Sequence, residues 1–124
     1  MIFNLIDFKI EKSSDDLDPG TLASRLSTLD EGFYYISIPT VKAEGTGRHA
    51  LGFIHDKEGI YFLDPNLGIV ELKESDKNDI HGISARCFAT YSGKKPSELK
   101  TWEGIEAALR EMGSECNLFK VSPR

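Results

Sequence analysis

Cysteine is scarce in this sequence: Cys87 and Cys116 are the only two in 124 residues. They form neither a Cys-x-x-Cys motif nor a bridged framework, and they suit a reducing compartment. Long apolar runs are missing too, so no segment has the length of a membrane span. No stripe of lysine or arginine stands out and the net charge is −5, which argues against nucleic acid as a partner. His49, His55 and His81 lack the spacing of a metal site, and no cofactor motif accompanies them. The N-terminus lacks the basic start and small-residue cleavage site of a secretory signal. With no repeat, low-complexity tract or linker, residues 1–124 read as a single domain.

What is present is an ordinary globular composition, 40% apolar and 28% charged, enough for one core. Its organising stretch runs from Gly47 to Gly68. Two strand-like apolar runs flank Asp56-Lys57-Glu58-Gly59, a polar turn ending in glycine, which predicts a β-hairpin. With residues 56–59 as the turn, His55 faces Ile60 and Leu51 faces Asp64. Side chains alternate with period two, so His49, Leu51 and Asp64 share a face. His49 and Asp64 then become diagonal neighbours about 7–8 Å apart at the backbone, a gap that imidazole and carboxylate can close. A histidine held by an aspartate is the base-and-orienter half of a nucleophilic triad. Asp64 also opens Asp-Pro-Asn-Leu-Gly, a good turn sequence in its own right.

The segment from Leu22 to Leu72 resembles the YopT-type papain-like cysteine proteases, which include bacterial effectors injected into host cells. The residues that carry the likeness are a short helix, Gly32-Phe33-Tyr34-Tyr35-Ile36-Ser37, His49-Ala50-Leu51-Gly52, and Gly59-Ile60-Tyr61-Phe62-Leu63-Asp64-Pro65-Asn66-Leu67-Gly68. The resemblance implies that His49 is the general base and Asp64 its orienter. It implies an α+β fold, an antiparallel sheet packed against helices, of which this chain is the C-terminal, sheet-bearing part. It implies a protein substrate and a secreted effector acting in the host cytosol; the sequence by itself reads as cytoplasmic, with no cofactor and no metal. Glutamine deamidases of the effector type share this layout, so deamidation stands beside peptide cleavage.

One departure is large. The family's nucleophilic cysteine lies upstream of its histidine, and no cysteine precedes His49 here. The chain is then expected to be inactive alone. It either works with an upstream Cys-bearing segment of the same protein or is a non-catalytic papain-like module that binds a partner protein. A permuted enzyme using Cys87 or Cys116 is the remaining arrangement, although their apolar settings predict buried, unreactive thiols.

The remaining elements read as follows. Residues 1–10 alternate as a strand, and residues 11–18, rich in Ser and Asp, form a loop. Asp18 caps a helix with Pro19 in its first turn, and Gly32 ends it. Residues 33–38 form a central strand bounded by Pro39, and residues 40–48 a loop. A short strand spans 67–73, a charged loop 74–79 and a short helix 80–91, with Ile83, Cys87 and Tyr91 on one face. The clearest helix runs from Ser97 or Thr101 to Gly113, with Trp102, Ile105, Leu109 and Met112 as its apolar stripe. A last strand covers residues 116–121.

Overall fold

The computed structural model describes residues 8–42, 45–72 and 77–123. It is an α+β structure: a six-stranded antiparallel sheet packed against helices. Strand β1 is Phe8–Leu17, β2 Gly32–Lys42, β3 Gly45–His55, β4 Ile60–Asp64, β5 Gly68–Leu72 and β6 Cys116–Pro123. Helix α1 is Pro19–Leu26, α2 Lys77–Ala89 and α3 Trp102–Glu111, with a 3-10 turn at Pro96–Leu99. The strands lie in the order β1-β6-β2-β3-β4-β5, so β2 is central and β6 returns to fill the gap between β1 and β2.

The hairpin forms with the expected register. Its pairs run from His55–Ile60 to Gly52–Leu63, and one further step places Leu51 across from Asp64. The turn is tied by Asp56, whose carboxylate accepts from the backbone N–H groups of Glu58 at 2.8 Å and Gly59 at 3.0 Å. Asp18 caps α1 as expected, accepting from the Thr21 backbone N–H at 2.8 Å and hydroxyl at 2.7 Å.

Five boundaries differ from the sequence expectation. Residues 11–17 are strand, not loop, because β1 pairs along β6, with irregularities between Lys12 and Ser14 and between Ser14 and Leu17. Pairing to a strand a hundred residues away outweighs local Ser and Asp preference. The first helix stops at Leu26 rather than Gly32, because the Ser27 and Thr28 hydroxyls bond back to the Ser24 and Arg25 carbonyls and close it.

The third and fourth concern the expected loop at 40–48. There β2 continues to Lys42 and β3 begins at Gly45. Proline 39 is tolerated inside β2 because its nitrogen points away from β3. Val41, two residues on and so aimed the same way, donates its N–H to the Tyr91 carbonyl at 3.0 Å. Helix α2 starts at Lys77, earlier than the expected residue 80. Residues 1–7 of the expected first strand and residues 74–76 of the charged loop lie outside the described residues.

The two sheet faces have different fates. Tyr34, Ile36 and Ile38 of β2, Leu51 and Phe53 of β3, Ile60 and Phe62 of β4 and Leu118 of β6 point to the helices. They join Leu22 and Leu26 of α1, Phe88 of α2 and Ile105 and Leu109 of α3 in one buried cluster. The opposite face is apolar and open: Phe33 is 42% exposed, Tyr35 43% and Ile69 75%.

Candidate active site

The site lies at the end of the helix-facing side of the sheet. It draws on three elements: the first half of β3 (His49), the end of β4 with its following turn (Asp64, Asn66), and the last turn of α2 and the residues just after it (Cys87, Tyr91). Antiparallel pairing of β3 and β4 brings together residues 15 positions apart, and His49 Nε2 lies 3.0 Å from Asp64 Oδ1. The Asp64 side chain is fully buried, whereas that of His49 is 16% exposed. The pair is thus fixed at its carboxylate end and open at its imidazole end.

Asp64 is both a turn residue and a site residue, and one interaction makes it so. The Leu67 N–H bonds the Asp64 carbonyl at 3.0 Å, closing the turn, and Gly68 takes a φ of 91° that favours glycine. Within that turn the Asn66 N–H donates to Asp64 Oδ1 at 2.9 Å. The turn chemistry legible in Asp-Pro-Asn-Leu-Gly therefore sets the rotamer that meets His49.

Two further donors complete the carboxylate. The Tyr91 hydroxyl lies 2.7 Å from Oδ2 and 2.9 Å from Oδ1, and the Cys87 thiol donates to Oδ2 at 3.3 Å. Four donors match the roughly four lone-pair directions of a carboxylate. Burial pushes the Asp64 carboxyl up, but the hydrogen bonds from Asn66, Tyr91, His49 and Cys87 outweigh it and hold the group below the ordinary range. Asp64 is accordingly an anion and a pure acceptor. His49 must then present Nε2–H to it, and in the neutral ring the lone pair falls on Nδ1.

Neither cysteine has the setting of a nucleophile. Burial, together with the hydrogen bond to Asp64 and its charge, pushes the Cys87 thiol far up. Burial pushes Cys116 up to about 12, against the opposing pull of Arg48 and with a small upward contribution from Asp18. Arg48, next to His49, spans from the Ser37 hydroxyl at 2.8 Å to the Glu115 carbonyl, tying the entry of β3 to that of β6.

The other two histidines stand apart from the pair. His55 Nδ1 donates to the Leu29 carbonyl at 3.2 Å at the turn end of the hairpin, and His81 packs edge-on to Trp102. Sequence reasoning paired His49 with Asp64 but gave Tyr91 and Asn66 no part. The one available signal was the four-residue spacing of Cys87 and Tyr91, which aims both at the end of β4.

No family profile matches the chain, and no curated protein matches it in sequence. Among solved structures it is similar to the Pseudomonas avirulence protein AvrPphB, with a TM-score of 0.47 and 17% identity, over 93% of this chain and 50% of that one. The chain thus spans about half the length of that protein.

Proposed function

We propose that this chain supplies a general base, His49, and its orienting carboxylate, Asp64, to a papain-like thiol hydrolase of the YopT type whose nucleophilic cysteine lies outside residues 1–124. The observation that carries the reading is the 3.0 Å contact between His49 Nε2 and an Asp64 carboxylate whose every lone pair is engaged. A thiol near its free pKa is only a few per cent thiolate at neutral pH. Nδ1 of His49 takes the thiol proton, and the thiolate attacks the amide carbon. The imidazolium returns the proton to the departing nitrogen. Asp64 keeps the ring in the required tautomer and stabilises the cation. Oxyanion donors, worth about 3–4 kcal/mol each, come with the nucleophile's segment.

The substrate in this reading is a protein, and the setting is that of a secreted effector acting in host cytosol. A peptide bond gives a protease and a glutamine side chain gives a deamidase, through the same proton transfers. The open apolar face of Phe33, Tyr35 and Ile69 lies on the other side of the sheet from the pair and suits cover by a further segment of the same protein. That face equally suits the second reading, a non-catalytic module that binds a partner protein.

The test is the protein expressed from its full reading frame and treated with iodoacetamide at pH 6, where ordinary thiols are almost wholly protonated. Rapid labelling of one cysteine other than Cys87 and Cys116, abolished by His49→Ala, is expected. Slow labelling at every cysteine would overturn the hydrolase and leave the binding module.

A further inference from the structure

The Tyr91 ring lies against the His49 imidazole, with centroids 4.1 Å apart and planes 25° from parallel. The same residue's hydroxyl is 2.7 Å from Asp64 Oδ2. One side chain therefore touches both members of the pair, each through a different part. The hydroxyl has a forced direction. Asp64 offers no proton, so Tyr91 donates to it, and the hydroxyl lone pair accepts from Asn66 Nδ2 at 3.1 Å. Asn66 in turn gives its backbone N–H to Asp64 Oδ1, closing a ring of three residues, Asp64, Tyr91 and Asn66.

The backbone fixes Tyr91 as firmly. Its carbonyl receives the Val41 N–H at 3.0 Å, and its own N–H bonds the Phe88 carbonyl at 3.0 Å. Helix α2, β2 and the β4–β5 turn thus all hold it. Burial and the bond to Asp64 push the phenol up to about 12, so it stays a donor through the neutral range.

We propose that Tyr91 is a positioning residue of the site: its hydroxyl locks the Asp64 carboxylate and its ring walls one face of His49. The stack leaves the imidazole one open face and stops it from rotating about its Cβ–Cγ bond. That rotation would put Cε1 where Nε2 meets Asp64 and break the hydrogen bond between them. Positioning of this kind sets the proton-accepting nitrogen within the tolerance that general-base chemistry needs. The inference rests on the His49–Asp64 reading, yet it concerns geometry present in this chain without any nucleophile.

Two substitutions separate the roles. Tyr91→Phe keeps the ring and deletes the hydroxyl; Tyr91→Leu deletes both. The readouts are the ring-current shifts of the His49 carbon-bound protons and the solvent-exchange rate of its Nε2–H, by NMR at neutral pH. Tyr91→Phe is expected to keep the upfield ring shifts and to speed Nε2–H exchange about tenfold, as loss of one hydrogen bond in the network would. Tyr91→Leu is expected to lose the shifts and to show both tautomers. The amide fingerprint reports whether each variant folds, and Tyr91→Phe, which removes only an oxygen, stands as the decisive arm if Tyr91→Leu does not. Unchanged exchange in Tyr91→Phe, or unchanged His49 shifts in folded Tyr91→Leu, would overturn the proposal. Either result leaves thiol labelling of the full-length protein untouched, so the two accounts fail separately.

Discussion

The Sγ of Cys87 lies 3.3 Å from Oδ2 of Asp64, so the thiol nearest the candidate site hydrogen-bonds the Asp64 carboxylate instead of the His49 imidazole. An anion beside a buried thiol opposes ionisation, whereas a nucleophile needs the reverse. Cys87 therefore belongs to the support of Asp64, and the permuted arrangement loses one of its two candidates. Cys116, at the start of β6 and pushed up to about 12, supplies no better one.

Thiol reactivity follows directly. In the native 124-residue chain, alkylation of Cys87 and Cys116 at pH 8 is expected to be slower than in denaturant by at least about a hundredfold, since each unit of raised pKa removes a decade of thiolate. Mass spectrometry of timed iodoacetamide samples checks this. Native labelling as fast as in denaturant would place either thiol in a quite different environment.

Stability is expected to titrate at both ends. Asp64 is held below its ordinary 3.8 in the fold, so its contribution is fully present above that value and fades as pH falls through and below it. Cys87 and Cys116 are raised above 9.0, so their contribution is full below that value and fades as pH climbs past it. Urea midpoints should hold between about pH 5 and 8 and drop on either side. Asp64→Asn should flatten the acid limb, and the double change Cys87→Ala, Cys116→Ala the alkaline one. A limb that keeps its slope in its variant would assign that titration to other groups.

Two glycines are expected to respond in opposite directions. A Cβ on Gly104 would overlap the Glu98 carbonyl oxygen, where the 3-10 turn packs against the first turn of α3. Gly104→Ala should cost about 1–3 kcal/mol by overpacking against backbone. A Cβ on Gly82, inside α2, meets nothing within 4 Å. Gly82→Ala should stabilise by about 0.5–1 kcal/mol through helix propensity and a less flexible unfolded chain. Denaturant titration of both variants checks the signs.

The hairpin was legible because its signals are local. Asp56 and Gly59 close the turn, alternation fixes the faces, and the register then puts His49 and Asp64 together. What was hidden depends on partners distant in sequence. Ser14 and Asp16 read as loop, yet their backbone lies in β1 because β6 returns beside it. Pro39 read as a strand end, but its missing donor faces the side where Val41 meets Tyr91 and not the β3 ladder. Tyr91 was visible only as one apolar member of a helix face. Its grip on Asp64 and His49 exists because α2 packs across the end of β4, a contact that no spacing along the chain announces.

The central claim is that Asp64 holds the His49 ring with Nε2 protonated and Nδ1 free. A long-range nitrogen–proton correlation of the imidazole, recorded on the wild type and on Asp64→Asn, reads the tautomer directly. The account predicts one wild-type tautomer, with Nε2 in the protonated range and Nδ1 in the lone-pair range, and a mixed or reversed pattern in Asp64→Asn. A wild-type ring protonated at Nδ1, or one whose signals Asp64→Asn leaves unchanged, would contradict it.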